Sequence, residues 1–232
     1  MSYFRRRWYD VGAVLGVGIA IWALVGDWST LQLILLWNFV AFMVHQFEEY
    51  HWPGGEAWIT NEVVQPRGGP VDRYPLNQNN AAFINVIAWP FYIIGAFFPD
   101  QIWLGIGTVL FGFGQIVVHG IITNIRLKTI YNPGMFAVIV GHTPLGIWYL
   151  IEIYDQDVVS GWDWLFGVLY TAFFIGVIML RIGYTALVSK TSPYPFEPAE
   201  MQRWNRAGRL ARIGVTPGPV PSPVANEPDL TR

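Results

Sequence analysis

Cysteine is absent from this 232-residue chain. Disulfides and thiolate metal ligands are excluded together, so any bound metal must be held by nitrogen and oxygen donors. Charge is scarce as well, with Asp, Glu, Lys and Arg making up 13% of the residues, about half the share of an ordinary soluble domain. The net charge of −2 offers no basic excess for a polyanion, and no nucleic-acid partner is expected. Histidine occurs only four times, so each one can be weighed individually.

What the chain has in abundance is apolar length. Hydrophobic residues make up 53% of it, gathered into runs of about the 20 residues that a bilayer-spanning helix requires. Six spans are read, each bounded by charge, proline or a polar cluster: Trp8 to Val25, Thr30 to Phe47, Asn80 to Phe98, Gln101 to Asn124, Pro133 to Ile153 and Trp162 to Leu180. Many of the 12 Trp, 11 Tyr and 15 Phe fall near run ends, as an interfacial belt requires. The fold class is therefore an all-α membrane protein of about six transmembrane helices. Arg5-Arg6-Arg7 precede the first run, but its apolar stretch is long and no small-x-small cleavage site follows. It is read as a retained helix rather than a signal peptide.

Orientation follows from the basic residues. With the amino terminus inside, the inner segments are 1–7, 50–79, 125–132 and 181–232, and all 14 Lys and Arg lie in them. Both termini are expected to be cytoplasmic, in a plasma or bacterial-type inner membrane. The domain reading is a transmembrane unit over 1–190, with a long inner loop at 50–79, and a cytoplasmic tail over 191–232. That loop is rich in Gly and Pro and carries Trp52 and Trp58, which suits either a lid or a surface connector. In the tail, Arg203, Arg206, Arg209 and Arg212 alternate with apolar residues over 199–215, a basic segment suited to anionic lipid headgroups. From Pro217 onward the composition reads as disorder.

One stretch is chemically out of place. His45-Gln46-Phe47-Glu48-Glu49 closes the second apolar run, where each ionised group costs about 2.5–3.5 kcal/mol. On a helix His45, Glu48 and Glu49 share a face, with Asn38 seven residues earlier on the same side. Alternating helix direction brings further polar residues to the inner half: Gln115 and His119 on the fourth helix, Asn79, Asn80 and Asn85 on the third, His142 and Thr143 on the fifth. A polar site among helices two to five follows, flanked by one and six. Pro90 and Pro144 are expected to kink helices three and five near it.

Three imidazoles and two carboxylates are the donors of a zinc or di-metal site. A divalent cation also offsets the charge of the glutamates. The metal ligands expected are His45, Glu49, His119 and His142, with Glu48 as general base, although Glu48 and Glu49 could exchange roles. Asn38, Asn85, Gln115 and Asn124 are the expected supporting residues, and Tyr131 and Asn132 could orient a ligand or cap a helix. The same histidines could instead be core residues hydrogen-bonded to Asn38, Gln115 or Asn85, which would suit a proton- or cation-coupled carrier. His51, beside Trp52 and Pro53, is read as interfacial.

The pentapeptide resembles the motif of the HXXEE family, membrane proteins named for it. The resemblance covers about Thr30 to Leu180 and implies an intramembrane polar site containing His45, Glu48 and Glu49, without supplying a reaction. The plan is also similar, more loosely, to the alkaline ceramidase-like membrane hydrolases, which place a zinc within seven helices rather than six; no serine here matches theirs. The functional expectation is a zinc-dependent membrane hydrolase acting on a lipid or amphipathic substrate from the cytoplasmic side. A di-iron oxidase or hydroxylase built on the same residues is the alternative. Oligomeric state cannot be read from these features.

Overall fold

Local sequence signals start the helices. Ser29 and Asn77 each cap the helix that follows and receive a reciprocal bond from the side chain three residues on, Gln32 and Asn80; Ser160 does the same with Asp163. Such boxes satisfy amide groups that a bilayer edge cannot. In the computed structural model, described here for residues 2–204, six helices are long and apolar enough to cross a membrane: α1 (Ser2–Val25), α2 (Thr30–Tyr50), α3 (Gln78–Phe97), α4 (Ile102–Leu127), α5 (Met135–Asp155) and α6 (Gly161–Ala186). Among the described residues there is no strand. The all-α membrane class and the number of spans are as the sequence indicates.

The ends differ in ways that matter. α2 continues past Phe47 through Glu48, Glu49 and Tyr50, which makes the glutamates helical and fixes their directions. α1 begins six residues earlier than its apolar run, with a non-helical residue at Arg7. α6 runs on through Arg181 to Ala186.

Helix α2 is the hub, packing on α1, α3 and α5, while α4 packs on α5 and α6. Its most apolar window is 61% buried within the protein, against 11% for α6, so α2 faces protein and α6 faces lipid. α2 and α5 run antiparallel and close together. A Cβ on Gly141 would stand 2.6 Å from that of Ala41, so glycine at 141 permits the approach.

Three helices carry wide turns of i→i+5 bonding: Ile116–Thr123 in α4, Val138–His142 in α5 and Phe174–Ala186 in α6. The turn in α5 ends just before Pro144, whose missing N–H breaks the regular ladder there.

Segment 51–77 is not a free connector. Glu56–Trp58 and the wide turn Ile59–Val64 fold against the bundle, with Trp58, Ile59, Thr60 and Asn61 buried. The chain beyond residue 190 returns to the same end: Phe196 donates to Asp72 O and receives a neighbour in Met201 and Trp204, which share its apolar cluster with Tyr9, Tyr50 and Trp58. Of the basic segment expected at 199–215, residues 199–204 therefore pack against protein; 205–232, including the remainder of that segment, lie outside the described residues.

Candidate metal centre

Because α2 continues helically through Glu49, the i,i+4 spacing holds and His45 and Glu49 meet: Nε2 of His45 lies 3.4 Å from Oε1 of Glu49. From α4, Nε2 of His119 lies 3.3 Å from the same oxygen. All three side chains are buried, and one ligand atom from each falls within 4.8 Å of the others. Two ligands held about 2.05 Å from a tetrahedral zinc stand about 3.3 Å apart. The His–Glu separations match that edge.

The outer faces of the rings decide what the inner faces offer. Nδ1 of His45 is 3.1 Å from the backbone carbonyl of Gly134, which can only accept, so Nδ1 carries the proton. Nδ1 of His119 is 2.7 Å from Oδ1 of Asn132. The direction of that carboxamide is fixed, because its NH2 donates to His119 O and to Asn124 Oδ1, both at 2.7 Å. Asn124 is oriented in turn by donating to Gly120 O and Met135 Sδ. Each ring, in its neutral form, therefore presents an Nε2 lone pair to the Glu49 carboxylate. Lone pairs facing a carboxylate repel unless a cation or added protons lie between them. Imidazoles held by Nδ1–H to oxygen acceptors are the arrangement metal sites use to aim their ligands.

Glu48 points elsewhere. Its Oε1 accepts from Tyr131 Oη at 2.5 Å and from the Phe136 amide at 3.1 Å, and its Oε2 accepts from the Ala137 amide at 3.0 Å. Those amides open α5, so Glu48 caps a neighbouring helix and meets the positive end of its dipole. The adjacent glutamates thus do separate jobs: one faces the histidines, the other fastens α2 to α5.

His142, expected as a ligand, stands beside the group of three. Its ring centroid is 5.8 Å from that of His45. Nδ1 is 2.7 Å from Asn38 Oδ1, and Nε2 is buried without a partner among the described residues. Asn38 thus supports His142, and Asn124 supports His119 through Asn132. Asn85 is joined to Gln46 and Ala81, and Gln46 holds Trp89, so that network faces α3. Among the described residues no hydrogen bond joins Asn85 or Gln115 to the glutamates. His51 pairs with Asp10 and stacks on Phe47, at the bundle end, as an interfacial residue.

Of the two roles open to Asn132, orienting a ligand or capping a helix, it takes the first, on His119. Two participants were not legible as such. Gly134 has φ +93, and a Cβ there would come within 2.8 Å of Cε1 of both His45 and His119. Glu56, outside the spans, accepts from Thr60 Oγ1. Burial, and then the charge of Glu49, push its carboxyl up to about 8, with His119 opposing. A third carboxyl therefore shares the electrostatic field of the centre.

A family model described as a protein of unknown function with HXXEE motif matches residues 36–149. This stretch is an HXXEE-family domain. No curated protein and no solved structure matches the chain. The HXXEE domain runs from within α2 to within α5, so His45, Glu49, His119 and the groups that orient them all belong to it. α1 and α6 lie outside. In the HXXEE pentapeptide the geometry separates the letters: histidine and the final glutamate form the candidate centre, the first glutamate the helix cap.

Proposed function

We propose that the protein is a membrane-embedded, zinc-dependent hydrolase that cleaves an ester or amide bond in a lipid or other amphipathic substrate from the cytoplasmic side. The observation that carries this reading is the convergence of two Nε2 atoms, from His45 and His119, on one oxygen of Glu49 at tetrahedral-edge distances. His45, His119 and Glu49 make up a His2Glu donor set, which would hold zinc with a position open, and the ion would supply a water made more acidic, with a pKa toward about 7. The donor count favours one such ion over a di-iron pair, which needs more carboxylates.

The chain's own residues supply the rest. Asn132 and Gly134 O hold the ligand rings. Glu48, occupied by three donors, serves as an anchor rather than the general base expected from sequence, which leaves Glu56, the other carboxyl in the field of the centre, for the proton-transfer role. An apolar groove of about 450 Å³ between α2 and α5, lined by Trp37, Val44, Phe136, Val140 and Trp148, offers a place for an acyl or alkyl chain. Its wall includes Ala137 and Gly141, next in sequence or bond to Glu48 and His142.

Elemental analysis of purified protein, with activity measured on ester- and amide-linked lipids before and after chelation, tests this. About one zinc per chain is expected, lost in His119→Ala and Glu49→Gln, with chelated protein inactive until zinc is restored. Metal-free wild type, or metal unchanged in both variants, overturns it. Stoichiometric iron with a visible absorption band replaces it with the oxidase or hydroxylase reading.

A further inference from the structure

We infer that His142 and Tyr92 form a hydroxyl-binding subsite beside the His45–Glu49–His119 group. Their polar atoms, His142 Nε2 and Tyr92 Oη, are two of four buried side-chain nitrogen or oxygen atoms without a partner among the described residues. His142 is 1% exposed and Tyr92 is fully buried, yet their ring centroids lie 5.5 Å apart. More than nine in ten buried polar groups in folded proteins are hydrogen-bonded. Two orphans on neighbouring rings mark a shared partner supplied from outside the chain.

Donor and acceptor chemistry selects that partner. Nδ1 of His142 is engaged by Asn38 Oδ1, so Nε2 is left as an acceptor, while the phenol has a proton to give. One group that donates once and accepts once satisfies both, and that group is a hydroxyl. An ester carbonyl or an ether only accepts and leaves Nε2 bare. An ammonium only donates and leaves the phenol proton without an acceptor. Around the pair stand Phe42, which stacks on Tyr92 at 4.1 Å, and Phe91 and Phe111, each 5.8 Å from it. Those rings favour a hydroxyl on an apolar body. We assign it to the alcohol group of an amphiphile; a resident water, which could satisfy the same two atoms, is the outcome the test separates.

The inference deepens the proposed hydrolase and rests on it in assigning the hydroxyl to the substrate. The His142 ring is 5.8 Å from the His45 ring, so a substrate alcohol held there keeps the neighbouring carbonyl within reach of the centre. The substrate class is then an amphiphile with a free hydroxyl close to the scissile bond.

The test uses full-length protein in lipid nanodiscs with 15N-labelled histidine, the His142 resonance being assigned by its loss in His142→Gln. Decan-1-ol is titrated in, against decyl methyl ether, which has the same chain but no proton to donate. Decanol is expected to move the Nε2 resonance toward the hydrogen-bonded range, and the ether to leave it in place. Tyr92→Phe is expected to raise the decanol midpoint about tenfold, one hydrogen bond's effect, with zinc content unchanged. Equal movement by both probes, or an unaltered midpoint in Tyr92→Phe, overturns the subsite. A resonance already in the hydrogen-bonded range and indifferent to decanol means a resident water only, and also overturns it. Zinc measured on the same samples separates the two readings: decanol inert with zinc retained defeats the subsite alone, and decanol active without zinc defeats the hydrolase alone.

Discussion

His119 and Asn132 are joined twice: the ring Nδ1–H donates to the carboxamide oxygen, and the carboxamide NH2 returns to the His119 backbone carbonyl, both at 2.7 Å. This closed pair fixes the tautomer, the ring plane and the backbone of one residue together. Replacing Asn132 by Ala removes the ring's support while leaving every proposed ligand in place. Zinc affinity, measured by competition with a chromogenic chelator, should fall about 10- to 100-fold, the usual effect of losing such a partner. An affinity within twofold of wild type would deny Asn132 this role.

The two glutamates should separate experimentally. Glu48→Gln places an NH2 against the backbone amides of Phe136 and Ala137 or leaves one unmet, at a cost of about 1–3 kcal/mol. Thermal unfolding in detergent should show a lowered midpoint with metal still bound. Glu49→Gln should do the reverse, removing metal with little loss of stability once wild type is also stripped. Identical behaviour of the two variants would refute the division of labour.

Gly134→Ala should act as a wedge. A methyl there comes within 2.8 Å of Cε1 of both His45 and His119 and also strains a φ of +93. The expected result is loss of metal together with a lower unfolding midpoint. A second-site deletion of bulk cannot restore the backbone conformation, so Gly134→Ser should behave alike.

Glu56 predicts a pH dependence with a defined sign. Its folded-state carboxyl is raised from 4.5 to about 8, by burial first and Glu49 second, so between those values the folded protein holds a proton the unfolded chain releases. The stability it confers is complete below about 4.5 and is lost as pH rises through 8. Chelated wild type should therefore lose unfolding midpoint from pH 5 to 9 more steeply than chelated Glu56→Gln. Loading zinc should flatten the wild-type slope, because the cation offsets Glu49. Parallel slopes in the stripped proteins would remove Glu56 from the field of the centre.

How much of this was readable in the residues depends on the kind of relationship. The spans were legible because apolar length in a bilayer is a one-dimensional property, and His45–Glu49 was legible because i,i+4 on a regular helix is local. Glu48 shows where local reasoning stops: it shares the face of His45 in sequence, but its partners are two amides at the start of another helix. Gln115 and His119 were expected to lie one turn apart on one face. The wide turn from Ile116 to Thr123 breaks that spacing, and no residue type announces such a turn. Glu56 sits in a connecting segment, where only tertiary folding gives position a meaning; Asn132 sits in another, and only that folding decides between its two readings, orienting a ligand or capping a helix.

The wide turns bear on how such a centre arises and disappears. A turn of i→i+5 bonding holds one residue more than the regular helix around it, so His119 and His142 each sit on what amounts to an insertion. Deleting a single residue from Ile116–Thr123 upstream of His119 would restore the regular ladder, leaving the helix on either side in phase and re-aiming only the side chains of the turn itself. His119 lies inside that turn, so its imidazole would lose its aim at Glu49 while the span stayed long and apolar enough to cross the membrane. Gain or loss of the candidate chemistry can therefore be a change of one codon in length, with the bundle itself left standing.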